Sequence, residues 1–135
     1  MFEGPVEDRL AIRERIEAYG DAVFRHDADD WIGQWSDDAV WSLPSGHFRG
    51  KSEIGAAWLK AMKAFAVAGF FSTLGGIQVA GDRATARVFT REVLVDRQGK
   101  VRKLIGAYHD ELTKMEGTWL FARRAFSVLH REDAS

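Results

Sequence analysis

The chain has 135 residues, 46% of them hydrophobic, and its 19 basic and 20 acidic side chains leave a net charge of -1. That length suits one domain across residues 1–135 with a real core, and the balanced charge offers no surplus of cations for a phosphate backbone, which argues against nucleic acid as a partner. The sequence has no cysteine, which removes disulfides, thiolate nucleophiles and thiolate metal sites and fits a reducing compartment.

The opening segment MFEGPVEDRL is acidic early and has no long apolar run, so neither a signal peptide nor a membrane span is read and a cytoplasmic protein is expected. Pro5 opens a first helix from about Val6 to Asp27, with Ile12, Ile16, Tyr19 and Val23 falling within roughly 60° of one another on its buried stripe. A shorter helix is expected at Asp29 to Ser36, where Trp31, Ile32 and Trp35 recur at helical spacing. Ala39 to Leu43 then reads as a strand, closed by Pro44, Ser45 and Gly46 and returned by His47 to Arg49 as a hairpin. Ser52 is the expected cap of a third helix, whose stripe is Ile54, Trp58, Leu59, Met62 and Phe65 and which ends before Gly69.

From there the pattern changes to strands near Phe71 to Val79, Ala84 to Val95, Val101 to Thr113 and Thr118 to Leu129, separated by GD, DRQG and MEG turns. Helices first and strands afterwards predict an α+β domain, with a curved, mixed or antiparallel sheet wrapped around three N-terminal helices and enclosing an apolar pocket. Five Trp and nine Phe are a heavy aromatic load. They could line a concave site, or fill a core and an oligomer interface.

Asp27, in the run HDADDW, extends the stripe of Ile12, Ile16, Tyr19 and Val23 to the end of the first helix. A buried carboxylate without a partner has its pKa pushed up, which poises it for proton transfer. The alternative is a helix end wetted by solvent. His26 lies about 40° from the centre of the same stripe. On the last strand, Arg124 alternates with Leu120, Ala122, Phe126 and Val128, so a guanidinium would stand on an apolar face. It then requires a counter-charge, Asp27 or Asp110, whose pKa it would lower. Tyr108 and Asp110 share a face, with His109 pointing the other way. His47 could reach the rim of a pocket near Trp41, and His130 lies at the C-terminal edge. No pair of histidines has metal-ligand spacing, so no metal site is expected.

The element order, together with HDADDW, SDDAVWSLP, FRGKSEI, GAYHDEL and GTWLFARR, resembles the nuclear-transport-factor-2-like superfamily, in its SnoaL-like branch. The resemblance runs from about Glu7 to Val128 and implies a cone-shaped α+β barrel whose members include isomerases, dehydratases, cyclases, hydrolases and inert subunits. The helix end is similar to that of scytalone dehydratase, and hexachlorocyclohexane dehydrochlorinase is similar at the same Asp, at Trp41 and at Arg124. In both enzymes this Asp orients a His that removes a proton. The resemblance aligns Ser72 with that His, so the dyad is absent. By position, Tyr19 resembles the oxyanion-binding Tyr of ketosteroid isomerase, but Leu43 stands where that isomerase has its catalytic Asp. Asp27, Arg124 and Asp110 are the residue types of limonene epoxide hydrolase, without its positions.

Two functions follow as expectations. The first is a cofactor-independent lyase or isomerase, dehydratase-like or cyclase-like, for a small hydrophobic cyclic or polyketide-like molecule. Asp27, Tyr108 and Arg124 would be catalytic, and Tyr19, Val23, His26, Trp41, Leu43, Trp58, Ser72, Asp110 and Phe126 would bind substrate. The second is a non-catalytic binding or assembly module, similar to the small subunits of ring-hydroxylating dioxygenases. The resemblance also implies a homodimer or homotrimer, with Phe89, Val93 and Val95 as candidate apolar surface.

Overall fold

In the computed structural model, which describes residues 1–134, a curved seven-stranded sheet wraps around three helices and stays open at its edges. A short strand β1 (Phe2–Glu3) leads into helix α1 (Val6–Arg25) and helix α2 (Ala28–Ile32). The hairpin β2 (Trp35–Leu43) and β3 (Gly46–Arg49) follows, and then helix α3 (Gly50–Met62). Four long strands complete the chain: β4 (Phe65–Ala80), β5 (Arg83–Asp96), β6 (Val101–Met115) and β7 (Thr118–Ala134). Their order in the sheet is β1-β4-β5-β6-β7-β2-β3, antiparallel except where β1 joins β4 and β2 joins β7. This is the α+β architecture expected from helices followed by strands. No helix among the described residues is long and apolar enough to cross a membrane.

The helices are held by the stripes that define them. Ile12, Ile16, Tyr19 and Val23 of α1 are all buried, as are Ile54, Trp58 and Met62 of α3. On β5 the alternation is regular: Ala84, Ala86, Val88 and Thr90 face inward, and Arg83, Thr85, Arg87 and Phe89 face out. A period of two on the sheet meets a period of 3.6 on the helices, and the shared core forms between them. In β6, Gly106 lies directly beneath the ring of Phe126 from β7. A Cβ at Gly106 would run into that ring and come within 2.9 Å of Thr90 Oγ1.

Several element boundaries differ from the sequence expectation. Trp31, Ile32 and Trp35 do not share one helix: α2 stops at Ile32, and β2 begins at Trp35, paired with Phe121. The Phe121 N–H donates to Gln34 O at 2.9 Å, which draws the chain into the ladder. Ser52 is not the cap of α3. That helix starts at Gly50, and Glu53 instead accepts from the Arg49 N–H at 3.2 Å. Phe65 and Gly69 belong to β4 rather than to the third helix or its end, because antiparallel pairing with β5 runs back to Phe65. On β7, a register shift against β6 between Glu111 and Leu112 breaks the expected alternation. Phe121 turns inward in place of Ala122, and Arg124 keeps its inward position.

The largest correction concerns Asp27. Helix α1 ends at Arg25 because His26 adopts left-handed φ 53°, and the His26 and Asp27 N–H groups bond back to Val23 O (3.1 Å) and Ala22 O (3.0 Å). The 100° phase is lost at that turn, so Asp27 leaves the buried stripe and His26 is exposed. Asp27 caps α2 instead: its carboxylate accepts from the Asp30 N–H at 3.0 Å and from Arg25 Nη1 at 2.9 Å. Arg25 also pairs with Asp21 and Asp30. The Asp27 side chain is 42% exposed. The Asp30 N–H and then Arg25 hold its carboxyl below the ordinary carboxylate value, the reverse of the expected shift.

Asp27→Ala is expected to lower the melting temperature and Asp27→Asn, which retains a capping oxygen, to restore much of the loss. The folded-state pKa is lowered, so this stabilisation is present above the unfolded value of about 3.9 and is lost as pH falls through the folded value. An unchanged melting temperature in Asp27→Ala would contradict the capping role. Gly106→Ala is expected to cost about 1–3 kcal/mol in chemical denaturation, by forcing the Phe126 ring out of place.

Candidate functional site

The inner face of the sheet and the stripes of α1 and α3 line a cavity of about 470 Å³, open to solvent at the end where Arg102 lies half-exposed. Tyr19 and Val23 come from α1, Trp41 and Leu43 from β2, and Trp58 and Met62 from α3. Phe70, Glu92, Leu94, Tyr108 and Phe126 supply the sheet side, and Arg102 stands at the open end. Such a volume suits a small cyclic molecule, and the wall is mostly aromatic and aliphatic.

Beneath this cavity lies a buried ion pair. Asp110 on β6 and Arg124 on β7 are cross-strand partners, and the guanidinium grips the carboxylate with two bonds, Nε to Oδ1 at 2.7 Å and Nη2 to Oδ2 at 3.0 Å. Neither side chain is exposed at all. The guanidinium carbon lies 3.8 Å from the Tyr108 ring centroid, 4.3 Å from that of Tyr19 and 4.4 Å from that of Phe121, so three ring faces enclose the cation. Its Nη1 has no acceptor among the described residues. Asp110, rather than Asp27, is therefore the counter-charge. Burial is the larger effect on its carboxyl and moves the pKa up against the pull of Arg124, which corrects the expected lowering. Arg124 itself stays protonated, its pKa raised.

Glu92 is the carboxyl that faces the cavity. It continues the inward row Ala84, Ala86, Val88, Thr90 on β5, and the Thr90 hydroxyl donates to its Oε2 at 3.0 Å. Burial raises its pKa; the Thr90 hydroxyl and the charge on Arg124 oppose that rise without cancelling it. Tyr19 and Tyr108, whose ring centroids are 6.3 Å apart, are also pushed up by burial, Tyr108 strongly. Both phenols are therefore neutral donors throughout the physiological range. Trp41 adds a buried Nε1–H with no acceptor among the described residues. The arrangement combines one titratable carboxyl, two phenols and a fixed cation behind them, within an apolar wall. It can move a proton and stabilise a developing oxyanion.

Of the residues singled out in the sequence, Tyr19, Val23, Trp41, Leu43, Trp58, Tyr108 and Phe126 line this cavity, and Asp110 and Arg124 lie under it. Asp27 and His26 are outside it, at the junction of α1 and α2. Ser72 does not line it either: it shares the inward row of β4 with Phe70 but opens on a depression beside Glu17, Gly20 and Asp21, while the Phe70 ring packs on Tyr19 with centroids 5.4 Å apart. Asp27 makes its hydrogen bonds with Asp30 and Arg25, and none with Ser72. His47 points away from the cavity, with Nδ1 on Ser42 Oγ at 2.8 Å, because its neighbour Phe48 takes the inward place against Trp41. His109 is on the outer face of the sheet, and exposed His130 pairs with Glu132. Sequence reasoning passed over Glu92 and Arg102. The signal was present, since Glu92 shares the parity of Ala84, Ala86 and Val88, just as Arg102 shares that of Leu104 and Tyr108.

Comparison with known proteins places these features in a family. No curated protein matches the chain. The fold is shared with a candidate aromatic ring hydroxylase from Novosphingobium aromaticivorans, at 23% identity and a TM-score of 0.91 over 98% of this chain and 96% of that one. A candidate scytalone dehydratase from the same organism matches at 17% identity and a TM-score of 0.88, over 96% of this chain and 89% of the other. A type 3 hexachlorocyclohexane dehydrochlorinase from Novosphingobium barchaimii matches at 15% identity and a TM-score of 0.84, over 96% and 92%. The model of the SnoaL-like domain matches residues 5–125. With that match over nearly its whole length, the chain belongs to the SnoaL-like domain family.

Proposed function

We propose that this protein is a cofactor-independent lyase or isomerase that takes a proton from carbon next to a carbonyl in a small hydrophobic cyclic molecule. The observation that carries the reading is the Glu92 carboxyl, which lines the aromatic cavity together with Tyr19 and Tyr108 and whose pKa is raised by burial there. Ionised Glu92 removes the proton. The electron pair moves to the carbonyl oxygen, and a tyrosine hydroxyl donates to the resulting enolate. The Glu92 proton then returns to a different carbon in an isomerisation, or the enolate expels a leaving group from the adjacent carbon in an elimination. Arg124, behind the phenols, lowers the cost of negative charge at that end of the cavity. Glu92 here fills the part that Asp27 had by resemblance, since Asp27 is spent on capping α2.

The fold shared with a candidate dehydratase and a dehydrochlorinase supports an elimination-type chemistry, and the high aromatic content of the wall supports a ring-shaped substrate. Deuterium exchange from D2O at the carbon beside the carbonyl of 2-tetralone, followed by NMR, tests the proton-transfer step without knowledge of the natural substrate. The wild-type protein is expected to accelerate exchange, with Glu92→Gln losing roughly 10²-fold or more and Asp27→Asn keeping the wild-type rate. Undiminished exchange in Glu92→Gln would sink the assignment. Tight binding of the ketone with no exchange in the wild type would identify a binding module instead.

A further inference from the structure

The cavity contains two charged wall residues, Glu92 and Arg102, and they do not neutralise each other. In the β5–β6 ladder Leu104 is the partner of Glu92 and Leu94 is the partner of Arg102, so the cation lies one inward row nearer the opening. Two residues of strand separate the rows, roughly 7 Å at about 3.4 Å per residue. Arg102 is bound through Nε alone, to Asp133 at 3.1 Å, and its two terminal nitrogens make no hydrogen bond to the described residues. Its side chain is 42% exposed. Arg102 lines both the cavity and an adjoining cleft that holds Lys100 together with the carboxylates of Asp96 and Asp133.

We infer that the molecule taken into this cavity carries a carboxylate, gripped by Arg102 at the mouth while its ring occupies the aromatic interior. This rests on the reading of the cavity as the substrate site and adds the chemical class of the substrate. A guanidinium with its terminal fork free presents the two parallel donors that a carboxylate accepts. Asp133 competes weakly, because an exposed pair is worth little and Asp133 has a second partner in Arg131, with Nη2 at 3.0 Å. Since Arg102 stands one inward row beyond Glu92, the acid group belongs on the side of the ring turned away from Glu92. The ordinary alternative is that Arg102 only ties β6 to the end of β7.

The test is a calorimetric titration of the whole protein with 2-naphthoate and with the uncharged 2-naphthamide, which have the same ring and nearly the same size. The acid is expected to bind about tenfold tighter or better in the wild type. Arg102→Gln should abolish that preference and leave the amide affinity within about twofold of wild type, which also shows that the cavity is intact. Asp133→Asn should tighten the acid further and leave the amide unchanged. Equal affinity for acid and amide in the wild type, no detectable binding of the acid, or a preference that survives in Arg102→Gln would each overturn the proposal. Neither probe has a hydrogen on the carbon beside its carbonyl, so the result stands apart from the exchange experiment on the neutral ketone, and either reading can fail alone.

Discussion

The Asp110–Arg124 pair is the constraint around which the inner face of the sheet is arranged. Taking both charges out of water is costly, and the cost is recovered only if the geometry is good and the remaining polar atoms are accommodated. Here the two-point contact of 2.7 and 3.0 Å satisfies the carboxylate, and the faces of Tyr19, Tyr108 and Phe121 surround the rest of the cation. Each of those rings comes from a different element, α1, β6 and β7. The guanidinium therefore fixes the helix to the sheet and sets where both phenols stand in the cavity. Removing Arg124 would leave Asp110 buried without its partner and the rings without their common support.

The same pair divides the electrostatics of the interior. Its positive end lies under Tyr19 and Tyr108 and pulls down the pKa of Glu92 without overcoming burial. The cavity thus holds one carboxyl of raised pKa and a fixed positive charge behind the phenols, and the proposed reaction gives the acid–base role to the first and oxyanion stabilisation to the second. Asp27 illustrates the opposite outcome. A carboxylate that accepts a backbone N–H and a guanidinium at the surface is a better cap than a base.

Much of this was legible in the residue pattern. The 3.6-residue stripe of α1 and the period of two on β6 and β7 placed Tyr19, Val23, Tyr108, Asp110 and Arg124 on their observed faces. What escaped were breaks in periodicity, which are set by backbone events that the apolar pattern does not record. The left-handed turn at His26 moved Asp27 off its stripe, and the register shift beside Leu112 exchanged Ala122 for Phe121. Trp31, Ile32 and Trp35 read as one helix from their spacing of three and four, yet Gln34 O accepts the Phe121 N–H and a strand begins at Trp35. Glu92 was legible in principle, but a carboxyl at the end of an alternating strand looks like its exposed terminus until the cavity is seen to lie there.

The claim that most needs a direct observation is that the working carboxyl belongs to Glu92 and not to Asp27. A carbon-detected NMR titration of both side-chain carboxyls in the wild-type protein decides it. Glu92 is predicted to titrate above the ordinary glutamate value of about 4.3 and Asp27 below the ordinary aspartate value of about 3.9. A Glu92 that titrates at or below its ordinary value, with Asp27 raised above its own, would contradict this assignment.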